Sequence, residues 1–215
     1  MVKTTILKEG YLYILALFVI TVLAAVYLGP YWAILPGFFT LFVTFFFRNP
    51  DRAIAYDDNL ILSPADGKVM DISDVFFDEE FLNAEAVKVT IFLSVFDVHI
   101  NRAPVAGEIK LQRYTCGRFR PAYKASVAWE NERHTIGLEN DRMRVLVTQI
   151  AGILARRIVS WVTLGNVLKQ GDRYGLIKFG SCTELIVPKD VEILVKKKEM
   201  VKGGISIIGR VVPKP

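Results

Sequence analysis

From Tyr11 to Phe47 the chain carries no charged side chain, a run of 37 residues. As one straight helix it would reach about 55 Å, well past a hydrocarbon core of about 30 Å. Leu28-Gly29-Pro30 divides the run, because Gly and Pro favour a turn. The halves, 11–28 and 31–47, have 18 and 17 residues, at the short end of the roughly 17–25 needed to span. The pattern predicts a helical hairpin with both ends on one side. Pro36-Gly37 weakens its second helix and leaves a shallower re-entrant hairpin open. Lys3 and Lys8 precede the hairpin, and Arg48 and Arg52 follow it. The positive-inside rule therefore puts both ends, and everything after them, on the cytoplasmic side of a cell membrane. Tyr11, Tyr13, Tyr31 and Trp32 read as interfacial aromatics. A cleavable signal peptide fits poorly, since the apolar region is too long and no small-residue cleavage site follows it.

The remaining composition narrows the function classes. The net charge of +5 suits an anionic surface or an acidic substrate, without choosing between membrane and nucleic acid. Cys116 and Cys182 are too few for a disulfide framework, and with two scattered His they give no zinc-ligand spacing. No metal is expected. The chain lacks GxGxxG, GxxxxGK[ST] and GxSxG, so nucleotide binding and the nucleophile-elbow hydrolases lose support.

Residues 51–215 read as a mainly β domain after an anchoring segment 1–50. Val87–Val95 is rich in β-branched and apolar residues. Further strands are predicted at Leu60–Leu62, Gly107–Tyr114, Thr135–Leu138, Met143–Ile150, Leu176–Phe179, Thr183–Val187, Glu192–Val195 and Ser206–Ile208. Ala151–Val159 reads as strand or short helix, and Pro121–Asn131 as loop or short helix. Short strands joined by turns such as Asp66-Gly67 suggest a barrel or sandwich, similar to the lipoyl- and biotinyl-carrier barrels.

Phe179-Gly180-Ser181-Cys182-Thr183 stands out, although Gly-Ser between strands is by itself an ordinary turn. Its context changes the reading. Upstream stand Phe46-Phe47-Arg48-Asn49-Pro50-Asp51-Arg52, Leu62-Ser63-Pro64-Ala65-Asp66-Gly67-Lys68-Val69 and Phe92-Leu93-Ser94-Val95-Phe96-Asp97-Val98-His99-Ile100-Asn101-Arg102-Ala103-Pro104. Trp129-Glu130-Asn131-Glu132-Arg133 follows, and Gly175-Leu176-Ile177-Lys178-Phe179-Gly180-Ser181 closes the series. In this order the motifs resemble the phosphatidylserine decarboxylase family, in its short form with an N-terminal hydrophobic hairpin. The resemblance runs over essentially the whole chain.

The resemblance implies a proenzyme that cuts itself between Gly180 and Ser181, leaving a large chain 1–180 and a small chain 181–215. Ser181 would become a pyruvoyl group and hold the substrate through a Schiff base. The product would be an ethanolamine phospholipid plus CO2, from a phosphatidylserine or an ether-linked archaetidylserine. The chemistry explains the residue types. Losing CO2 from a serine headgroup leaves a carbanion, which needs an electron sink such as a ketone. Ser can supply that ketone, because it offers both a nucleophile and a β-leaving group. Small Gly180 lets the backbone bend for the attack.

The matching motifs imply His99 as general base for Ser181, with Asp66 as its orienting partner. Many longer family members carry a second histidine where this chain has Arg102. Arg102 is therefore a candidate for the substrate phosphate or carboxylate, with Arg48, Arg52 and Arg118 behind it. His134 reads as structural, and Cys182 as a small core residue. The expected partners are the serine lipid, the membrane and the two chains of one precursor. No nucleic acid is expected, and homo-oligomerisation is left open. Two other readings remain: a membrane-bound serine hydrolase using Asp66, His99 and Ser181, and a non-enzymatic lipoyl-like membrane module.

Overall fold

The computed structural model describes residues 5–77, 81–82, 84–118, 130–152, 157–178 and 181–211. Two compact units divide at Asp51/Arg52, one residue beyond the expected boundary.

The first unit is a helical pair, α1 (Lys8–Tyr27) and α2 (Pro30–Phe46). Gly29 makes the turn at φ +101°, where a side chain would be strained. Pro30 opens α2 in the first turn, where its missing N–H costs nothing. The helix also runs through Pro36, so that proline does not end it. Thr21 and Thr40 face each other across the pair, with their hydroxyl oxygens 3.3 Å apart. The Leu7 N–H donates to the Phe47 carbonyl at 2.9 Å, and Ile6 bridges Arg48, so both ends meet as a hairpin requires. α1 is long and apolar enough to cross a membrane; α2 is shorter, at 17 residues.

The second unit is β throughout the described residues. Its strands are β1 (Leu60–Leu62), β2 (Gly67–Phe77), β3 (Ala84–Leu93), β4 (Ile100–Arg102), β5 (Gly107–Thr115), β6 (Arg133–Glu139) and β7 (Arg144–Ala151). They continue with β8 (Ile158–Ser160), β9 (Val167–Leu168), β10 (Arg173–Ile177), β11 (Ser181–Pro188), β12 (Val191–Ile193), β13 (Met200–Val201) and β14 (Ile207–Val211). One large curled sheet has the order β13-β2-β3-β11-β7-β6-β5-β9. Two small sheets, β1-β14-β12 and β4-β10-β8, complete the unit. The mainly β class with an N-terminal helical pair is therefore what the sequence predicts.

Alternation in the central strands explains the core. Ile91 and Leu93 on β3, Val145 and Val147 on β7, and Leu185 and Val187 on β11 are buried together on one face. At Gly67 an added Cβ would lie 2.1 Å from the Phe92 carbonyl oxygen, so the β2–β3 pairing needs glycine there.

Several expectations change. β2, β4, β9 and β13 have no counterpart among the predicted strands, and β8 starts within Ala151–Val159. Within Ala151–Val159 the described ends are strand and residues 153–156 lie outside the described set. Most of Pro121–Asn131 also lies outside it.

Candidate active site

Ser181 is the first residue of β11, paired with Leu93 of β3 on one side and Ala151 of β7 on the other. Its side chain shares the face of Thr183 and so points into the core. Ser181 is wholly buried, and its Oγ makes no hydrogen bond. Gly180 lies outside the described residues. A buried hydroxyl usually finds a partner, because leaving it bare costs roughly 1–3 kcal/mol. An orphan hydroxyl at this position is unusual and points to a chemical role.

His99 reaches the same end of the sheet through a register argument. The Asn101 Nδ2 of β4 donates to Thr183 Oγ1 of β11 at 2.8 Å. Two residues back along each segment stand His99 and Ser181. The Ile177 N–H also donates to the His99 carbonyl, four residues before Ser181. These two contacts tie the segment that carries His99 to β11 and to β10.

The imidazole is buried, with Nδ1 3.0 Å from the Asp97 carbonyl oxygen. A carbonyl can only accept, so Nδ1 carries a proton, and in the neutral ring the lone pair is on Nε2. That is the tautomer a general base needs.

Asp66 does something else. Its Oδ1 and Oδ2 accept from Arg52 Nη1 and Nη2 at 2.6 and 2.7 Å, and Oδ1 also accepts from the Gly203 N–H at 2.8 Å. Among the described residues Asp66 makes no hydrogen bond to His99, whose Nδ1 meets the Asp97 main chain instead. The physical reason is the competing Arg52, whose planar fork matches a carboxylate. Arg52 also donates to the Gly203 carbonyl. The cluster braces the turn before β2 against the segment after β13.

Arg102 is buried and donates from Nη1 to the Gly171 carbonyl at 2.9 Å, holding a turn. Arg48 lies over the Phe45 ring at 3.8 Å. Arg118 is exposed and bridges Asn131. Cys182 is buried on the opposite face of β11 from Ser181, and burial pushes its thiol pKa up, so it stays protonated.

Behind Ser181 runs a polar chain that residue types alone do not reveal. Gln112 Nε2 donates to His134 Nε2 at 3.0 Å, and His134 Nδ1 to Gln149 Oε1 at 3.0 Å. Gln149 Nε2 donates to Asn101 Oδ1 at 2.8 Å, and Asn101 passes the direction on to Thr183. Every donor points the same way, which requires a neutral His134. Burial lowers the His134 pKa accordingly, against the opposing bond to Gln149. The one available signal is Gln149, an amide between Val147 and Ile150 in the core-forming β7.

Residues 39–209 match the family model described as phosphatidylserine decarboxylase. Curated relatives named phosphatidylserine decarboxylase proenzyme include one from Carboxydothermus hydrogenoformans, 50% identical over 206 residues and covering 95% of each chain. Another, from Symbiobacterium thermophilum, is 46% identical over 209 residues, covering 97% of this chain and 96% of the relative. A third, from Syntrophus aciditrophicus, is 44% identical over 206 residues, covering 95% and 96%. With this site on this fold, the chain belongs to the phosphatidylserine decarboxylase family.

Proposed function

We propose that the chain is the proenzyme of a pyruvoyl-dependent carboxy-lyase, which cuts itself between Gly180 and Ser181 and converts a serine phospholipid to an ethanolamine phospholipid plus CO2. The observation that carries this reading is the buried, unpartnered Ser181 Oγ at the first residue of β11. No other hydrogen bond competes for that hydroxyl. The pyruvoyl group, once made, would supply a carbonyl that condenses with the substrate amine and takes up the electrons left by CO2.

The chain's own residues prepare it. Ser181 Oγ attacks the Gly180 carbonyl carbon while His99 Nε2 takes the hydroxyl proton. The Gly180–Ser181 amide C–N bond gives way to an ester, and the Ser181 nitrogen leaves as an amine carrying that proton. Loss of the Ser181 α-proton then expels the Gly180 carboxylate. The dehydroalanine left at 181 takes up water and releases ammonia. Burial matters here. Water reaching the ester first would regenerate serine, which is the outcome of an ordinary hydrolase; complete burial of residue 181 favours elimination. Asp97 fixes the tautomer of His99, and Asn101 holds β4 over β11.

The apolar hairpin supports anchoring in a membrane where such a lipid presents its headgroup, with the β unit on the cytoplasmic side. The test is CO2 release from a carboxyl-labelled serine phospholipid. The wild-type chain should migrate as two pieces and release CO2; Ser181→Ala should migrate as one and release none. An intact wild-type chain that releases CO2 would overturn the reading.

A further inference from the structure

Among the described residues of the β unit, three buried side-chain polar atoms lack a hydrogen-bond partner: Glu132 Oε1, Tyr174 Oη and Ser181 Oγ. Two of these three share one line across the sheet. Ser181 pairs with Ala151. Arg133 pairs with Ile150, and the Ala151 N–H donates to the Glu132 carbonyl at 2.9 Å, which carries the β6–β7 ladder one residue further. Ser181, Ala151 and Glu132 therefore form a cross-strand row whose side chains share a face. Two strand spacings separate its ends, about 10 Å. Within the row the Ala151 methyl stands between, packed with Ile158 and Ile177.

Glu132 is held in place from several sides. Its N–H donates to the Arg118 carbonyl at 3.1 Å, and the neighbouring Asn131 Nδ2 donates to the Ala151 carbonyl at 2.7 Å. Gly117 packs so closely on the Asn131–Glu132 peptide that an added Cβ would come within 2.4 Å. The residue is 9% exposed, and the carboxylate lies close enough to Tyr114 to help raise the phenol pKa, after burial. A buried carboxylate with one oxygen bare is costly unless something arrives to satisfy it.

Resting on the decarboxylase reading above, we propose that Glu132 binds the primary ammonium of the substrate headgroup and aims it at residue 181. A carboxylate complements a cationic amine, and its row leads directly to the reacting residue. Glu132 belongs to the Trp129–Arg133 motif, to which the reactions of Ser181 and His99 give no role.

The test uses the full chain in detergent, with a soluble short-chain phosphatidylserine and cyanoborohydride. The amine joins residue 181 with loss of water and uptake of hydride, and intact mass of the small chain reports the adduct. Hydroxylamine, largely uncharged at neutral pH, serves as control for the carbonyl. In Glu132→Gln the chain should still cut itself and label with hydroxylamine at the wild-type rate. Its trapping of the serine lipid should fall about 10-fold or more, the loss expected for one charge-assisted hydrogen bond. Glu132→Asp, which keeps the charge, should recover part of the loss. Equal trapping by wild type and Glu132→Gln would overturn the inference while leaving the decarboxylase reading intact. So would a Glu132→Gln chain that folds but stays whole, or a Glu132→Asp chain as impaired as Glu132→Gln. A wild-type chain that neither cuts itself nor labels would instead sink the decarboxylase reading.

Discussion

At the residue scale, the site separates two histidine–carboxylate ideas that look alike on paper. His99 Nδ1 meets the Asp97 carbonyl, and Asp66 spends its oxygens on Arg52 and Gly203. The two residues should therefore fail differently. His99→Gln should fold and slow self-cleavage by roughly 10²–10⁴-fold, the usual share of a general base; a time course of chain splitting after cell-free synthesis measures it. Asp66→Asn strips the charge from an ion pair whose side chains are only 7% and 12% exposed. Arg52 is then left uncompensated, so stability should fall by about 3–5 kcal/mol, measured by denaturant unfolding. The fraction that folds should still split. Full stability combined with lost splitting would return Asp66 to the side of His99. The motifs made Asp66 visible as a residue, but not its partner: Gly203 is 137 positions away, and no local pattern encodes such a contact.

At the scale of elements, β4 is the piece that joins the polar chain to β11. It is three residues long, and its Ile-Asn-Arg sequence has no periodic signal, so nothing local marks it as a strand. It exists because Asn101 bonds Thr183 across 82 positions and receives Gln149 from β7. β2 was hidden for another reason. Asp71, Ser73 and Asp74 interrupt its apolar residues, and the Asp66-Gly67 turn ahead of it draws the eye to a loop. By contrast β3, β7 and β11 were legible, because central strands must present apolar residues to the core. Thr183→Val keeps the shape and removes the oxygen that Asn101 needs. It should cost about 1–2 kcal/mol and slow splitting without abolishing it. Wild-type splitting at reduced stability would show that β4 does not align His99. The polar chain also predicts a pH effect. Burial lowers the His134 pKa, so the unfolded chain takes up the proton first as pH falls. The stability due to neutral His134 is present above the ordinary imidazole value of about 6.5 and is lost as pH falls through the lower folded value. From about pH 7 to about pH 5, wild type should lose more stability than His134→Asn, read from unfolding midpoints.

At the scale of the whole molecule, the hairpin and the β unit were the most legible features. A charge-free run of 37 residues with a Gly-Pro break leaves few choices, and the helical pair follows it closely. The site was legible in its residues and not in its wiring. Ser181 and His99 stand in ordered motifs, whereas Asn101, Gln149 and Glu132 acquire meaning only once strands far apart in sequence lie side by side. One property of Ser181 joins the levels: the fold buries a serine hydroxyl and gives it no partner. Intact-mass spectrometry of the purified chain tests the consequence most directly. The account expects two pieces, 1–180 and 181–215, with the smaller lighter by one ammonia than a peptide beginning with serine. A single intact chain with decarboxylase activity, or a small piece that begins with unmodified serine, would contradict it.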